Sequence, residues 1–299
     1  MKICILILIT IFISNKIMAI KTEQYKLDSH GPIYSYLPKN LNRTLKYPLV
    51  MALCCTTGNP KAEVKTNGWD KIVFQENIIV ISPTYNNYAT YSETSYIKLV
   101  IDDAIKRYPI DTERIYSTGF SNGGALSVAM VSTYPKLLAG ISAMGWMVGM
   151  NDKSSKAKIP FLVIQGTNEY TQITSSGSKS IMDDEIYAIK DLFTYNNMKE
   201  KNIKPNYDLV PFWGYMPDEK ISIYPVYNDY DIYGTSSKKR SGVEWKINKY
   251  YAEGYKRPFA ELILVEGSNH IPHDYNAFLA WNFFKGFRRL GNGLLIENE

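Results

Sequence analysis

The chain has 299 residues, of which 45% are hydrophobic and 21% charged, enough to bury one large core. The formal net charge of +5 is spread thinly, and the densest basic run, Ser236–Gly242 (SSKKRSG), reads as a solvated loop, so nucleic acid is not the expected partner. Three cysteines make no disulfide framework, which excludes a small disulfide-stapled fold.

The chain opens like an export signal. Lys2 precedes the apolar stretch Ile3–Ser14 (ICILILITIFIS), and IMA ends at Ala19 with a small residue suited to signal peptidase. A bilayer span needs about 18 or more apolar residues, and Lys16 interrupts the run too early for that. The expectation is a signal peptide over residues 1–19, cleaved after Ala19, and a secreted or periplasmic product without stable membrane insertion. Residues 20–299 then form one domain, nearly neutral once Lys2 and Lys16 are gone. Its two cysteines, Cys54 and Cys55, are adjacent, and they read as small buried thiols rather than as a strained vicinal bridge.

Further along, short apolar runs alternate with helical patterns. Tyr47–Cys55, Asn77–Pro83, Arg114–Phe120, Ile159–Gly166 and Phe259–Gly267 read as strands, most of them near-continuous and β-branched, as strands buried on both faces are. Between them, Ser95–Tyr108 sets Ile97, Val100, Ile101, Ala104 and Ile105 on one helical face. A second helix begins after Ser121 and stops before Pro135, and a third covers Asn276–Leu290. Strand and helix in alternation predict a mostly parallel sheet with helices on both faces. Residues 170–258 break the pattern as an insertion of about 90 residues, longer than a simple crossover needs. It begins with a helix at Asp183–Met198 and then becomes rich in Tyr, Trp, Pro and Asp, too aromatic for a disordered linker. It packs either as a surface excursion or as a lid.

Where Arg114–Phe120 meets its helix, the chain reads Gly119-Phe120-Ser121-Asn122-Gly123-Gly124. A G-x-S-x-G turn between strand and helix is where a nucleophile elbow belongs, since the strained serine tolerates only small neighbours. A serine hydroxyl also needs a base. Of the three histidines, His30 precedes the first core strand and reads as a surface residue. His270 follows the last strand, in the chain order Ser, acid, His, and His273 is the second choice. The acid is read as Glu169, at the end of Ile159–Tyr170, with Asp183 or Asp184 as the alternative. Two nearby histidines and scattered acids make no convincing zinc set, so no metal or cofactor is expected.

The segment Asp111–Gly145 (DTERIYSTGFSNGGALSVAMVSTYPKLLAGISAMG) resembles the polyhydroxybutyrate depolymerase and feruloyl esterase group of secreted α/β-hydrolases, which carries a D-x-x-R-[IV]-Y-x-x-G-x-S-x-G-G segment. YPLVMALCCTTG, NGWDKIVFQENIIVISP, IPFLVIQGTNEY and EGSNH are similar in turn, so the likeness spans roughly residues 31–170 and 258–290 and omits the insertion. It implies an α/β-hydrolase fold and a serine esterase with Ser121 as nucleophile and His270 as base. Two departures stand out. The family has aspartate where this chain has Glu169, and His-Gly where it has Cys54-Cys55. That second turn lends one N–H to the oxyanion hole, here from Cys55 or Thr56, and Asn122 N–H supplies the other. A Cβ at Cys55 must then be tolerated where the family has none.

The expected reaction is two-step acyl transfer on a small-molecule or oligosaccharide-linked ester of feruloyl or acetyl type. A polyester depolymerase, a serine peptidase, or a non-catalytic carbohydrate-binding protein on a hydrolase scaffold are the alternatives. Oligomeric state is open.

Overall fold

The computed structural model describes residues 20–86, 91–166, 169, 181–198, 223–224, 245–265 and 267–298. Residues 1–19, read above as an export signal, and most of the insertion lie outside these residues. Along the described chain run β1 (Ile20–Tyr25), β2 (Ile33–Pro38), β3 (Tyr47–Leu53), α1 (Pro60–Thr66), α2 (Trp69–Glu76), β4 (Ile79–Pro83), α3 (Thr94–Arg107), β5 (Ile110–Phe120), α4 (Asn122–Thr133), β6 (Gly140–Met144) and β7 (Phe161–Gly166). There follow α5 (Ile181–Tyr195), β8 (Ile223–Tyr224), β9 (Trp245–Tyr250), β10 (Ala260–Val265), α6 (Asn276–Phe284), β11 (Phe287–Arg289) and β12 (Leu295–Glu297).

Ten strands form one sheet in the order β1-β2-β4-β3-β5-β6-β7-β10-β9-β8. The six central strands, β4 to β10 in that order, are parallel, while β2 joins β4 and β9 joins β10 antiparallel. The centre is parallel because its strands are apolar throughout: every residue of β3, β4, β6 and β7 is buried. Neighbouring residues of β5 reveal the layers. Tyr116 stacks on Phe284 of α6 at 4.8 Å, whereas the Ser117 hydroxyl meets Ser127 of α4 at 2.8 Å. Successive strand residues point to opposite faces, so α6 and α4 cover opposite sides of the sheet.

The chain winds from β3 outward to β4 and then returns to β5, from which it winds the other way. The carboxyl ends of β3 and β5 therefore flank the point of reversal, the crevice where open α/β sheets bind ligands.

The predicted strands and the first two predicted helices form as expected. The third ends early, at Phe284, because Gly286 follows and Phe287 turns inward against Phe259 and Phe283. Phe287–Arg289 instead pairs with Leu295–Glu297 as a hairpin. Within the insertion, α5 and β9 join the core, with Phe193 of α5 5.3 Å from Phe161 and 5.0 Å from Tyr250. β8 and β9 widen the sheet, and apart from Ile223–Tyr224 the aromatic-rich stretch read as lid or surface excursion falls on residues outside those described.

Candidate active site

Ser121 joins β5 to α4 with φ 55° and ψ −120°, a backbone that residues with a Cβ rarely adopt. Its N–H donates to Met144 O at 2.7 Å, and its carbonyl accepts from Gly124 N at 2.9 Å and Ala125 N at 3.1 Å. The glycines around it are required by the close approach of β3. A Cβ on Gly119 would lie 2.4 Å from Leu53 O, and one on Gly123 only 2.0 Å from the same oxygen. The turn is thus pressed onto the end of β3 and locked to the end of β6. Ser121 is half-buried, at the mouth of the crevice.

Glu169 and His270 come together from the ends of β7 and β10. Glu169 is buried, its Oε1 accepting Gly166 N–H at 2.7 Å and its Oε2 lying 2.6 Å from His270 Nδ1. In that geometry the imidazole donates Nδ1–H to the carboxylate and keeps Nε2 for another partner. Burial raises the Glu169 pKa, and the facing imidazole and the Gly166 N–H oppose the rise. The His270 ring packs on Phe120, with centroids 4.6 Å apart, and a Cβ on Gly145 would stand 3.0 Å from its Cε1. Phe120 and Gly145 each adjoin a residue of the Ser121–Met144 hydrogen bond, so serine and imidazole occupy the same end of the sheet.

The other histidines are engaged elsewhere. His273 Nε2 lies 2.7 Å from Ser268 Oγ, and its ring stacks on Tyr275 at 4.9 Å. His30 is not a simple surface residue: it stacks on Tyr96 at 3.8 Å, with Asp28 at 2.8 Å and Glu93 at 3.3 Å from its nitrogens. Such partners fix the ring beside α3, far along the chain from the Ser121 turn. Asp183 and Asp184 begin α5, but their side chains lie outside the described residues.

Cys54 is buried and Cys55 half-buried, and both are free thiols. Burial pushes the Cys54 thiol up to about 12 and raises that of Cys55, so neither is a thiolate at neutral pH. The left-handed residue of this loop is Thr57, at φ 55°, so Cys55 carries its Cβ in the turn without that strain. The turn is closed by Gly58 N–H on Cys55 O at 2.9 Å. Cys55 and Thr56 therefore sit on the loop after β3, and Asn122 opens α4, whose first turn has N–H groups without an acceptor inside the helix. Sequence reasoning missed Tyr85, which joins these two halves. Its hydroxyl donates to Cys54 O and faces the Asn122 side chain. Glu63, buried beneath the same turn, was missed as well.

Residues 80–177 match the phospholipase/carboxylesterase family, a span that includes Ser121 and Glu169 but not His270. The bifunctional acetylxylan esterase/xylanase XynS20E of Neocallimastix patriciarum is 25% identical over 144 residues, covering 46% of this chain and 21% of that protein. The chain thus spans about a fifth of that relative's length. Among solved structures, an acetyl xylan esterase from Aspergillus awamori superposes with a TM-score of 0.54 at 14% identity, over 88% of this chain and 99% of its own. A feruloyl esterase module from Clostridium thermocellum, an S954A mutant complexed with sinapinate, gives 0.51 at 13% identity, over 87% and 85%. At such identities the structural likeness speaks to fold. The chain has the α/β-hydrolase fold, and its residues 80–177 match the phospholipase/carboxylesterase family.

Proposed function

We propose that the chain is a serine carboxylesterase acting on acetyl or feruloyl esters of plant polysaccharide. Ser121 Oγ attacks the ester carbonyl while His270 Nε2 takes its proton, and Glu169 holds the ring and balances its charge. The N–H of Asn122 and that of Cys55 or Thr56 receive the negative charge that develops on the carbonyl oxygen. Collapse of the intermediate breaks the bond to the alcohol, which leaves with the proton from His270. Water then attacks the acyl-enzyme by the same route and releases the acid. The names of the similar proteins, acetylxylan and feruloyl esterases, support the choice of ester. Among the described residues no helix is long and apolar enough to cross a membrane.

The observation that carries this reading is the 2.6 Å His270–Glu169 contact beside a serine at φ 55°. Ser121→Ala tests it. On p-nitrophenyl acetate and methyl ferulate, turnover falls by at least about 1000-fold. Undiminished turnover removes Ser121 from the chemistry.

A further inference from the structure

Glu63 of α1 is a buried carboxyl without a role in the acyl-transfer scheme, yet it touches that scheme's framework on three sides. Asn59 caps α1 by accepting from Lys61 N and Ala62 N, and Pro60 begins it, so the helix starts directly after the turn of Cys54–Gly58 and carries Glu63 inward. The Glu63 carboxyl accepts the backbone N–H of Phe120, the residue before Ser121. Its Oε1 also accepts from Asn67 Nδ2 at 2.8 Å. Asn67 in turn binds the far side of the crevice: its Oδ1 receives Asn276 Nδ2 at 3.1 Å and its backbone carbonyl receives Ala277 N at 2.9 Å. Asn276 N–H donates to His273 O at 3.0 Å, within the loop that carries His270. One carboxyl thereby ties together the turn after β3, the nucleophile turn and the histidine loop.

We infer that Glu63 is a positioning residue that fixes the Ser121 turn against the oxyanion turn and the histidine loop. The inference rests on the serine-esterase reading above. The burial of Glu63 also makes this role sensitive to pH. The ionisable groups that face Glu63 are Cys54 and Cys55 from the β3 turn and Tyr85 from the segment after β4, and burial raises the pKa of each of them. Among the described residues no cation stands with them to balance a negative charge. Burial accordingly raises the Glu63 carboxyl from 4.5 to about 8, against the pull of Phe120 N–H and Asn67. Once ionised, it sets a negative charge next to the loops that must accept a second one on the substrate oxygen. A like charge at such short range weakens that stabilisation roughly tenfold or more.

The test is the pH dependence of kcat and KM from pH 5 to 10 for the full chain, Glu63→Gln and Asn67→Ala, with p-nitrophenyl acetate as substrate. The expected wild-type kcat falls roughly tenfold through a step near pH 8, with KM little changed. Glu63→Gln is neutral at every pH and lacks the step. Asn67→Ala removes a bond that favours the carboxylate, so its step moves to higher pH. If Glu63→Gln does not fold, as its melting curve would reveal, the shift in Asn67→Ala decides alone. An active wild type whose step is absent, or persists unmoved in both variants, overturns the role of Glu63. A wild type without activity on any ester overturns the esterase reading instead.

Discussion

Ser121 keeps its left-handed backbone because Gly119 and Gly123 allow the turn to close on Leu53 O, where a Cβ would stand 2.4 Å and 2.0 Å away. The strain is held by neighbours, so it is sensitive to them. Gly123→Ala must push the turn off β3, and overpacking of this sort costs about 1–3 kcal/mol with a lowered melting temperature. A melting curve unchanged by Gly123→Ala would mean that the turn has slack the distances deny. At this scale the strained turn at Ser121 and the pairing of His270 with Glu169 were legible, since each residue lies in a short pattern at a strand end. Glu63 and Tyr85 were not. A glutamate in the heptapeptide PKAEVKT gives no sign of facing inward with its neighbour Val64, and only the fold brings Tyr85 to the Cys54 carbonyl.

Elements are held to the sheet by contacts that periodicity does not announce. The β11–β12 hairpin is fastened by Arg289, whose buried guanidinium donates to Leu138 O, Lys158 O and Gly293 O. Two of those carbonyls belong to segments that lead into β6 and β7, so the hairpin pins the starts of both strands. Arg289→Leu leaves three carbonyls short of a donor and lowers stability by roughly 3 kcal/mol, measured as a shift in the urea midpoint. A shift near zero would show that the carbonyls find water instead. The sequence concealed this hairpin because Asn276–Leu290 reads as one continuous apolar helix, and the break at Gly286 depends on where Phe287 finds room. β6 escaped notice for another reason: Gly140–Met144 is short and built of small residues, with little β propensity of its own.

At the scale of the whole molecule, the parallel centre of the sheet was readable from its unbroken apolar strands, and so was the alternation that places helices on both faces. The antiparallel edges were not, because β1 has the mixed exposure of a surface strand and β8 and β9 lie in a segment with no family likeness. What function requires of this architecture is the reversal of winding between β3 and β5, which gathers one turn from each, with the His270 loop reached from β10. The central claim is that Ser121 is a nucleophile activated by His270. A fluorophosphonate probe, with the adduct located by mass spectrometry, examines it most directly. The account predicts one adduct, on Ser121, formed rapidly in the wild-type chain and at least about 100-fold more slowly in His270→Ala. An adduct on another residue, or labelling of Ser121 at an equal rate without the imidazole, would contradict it.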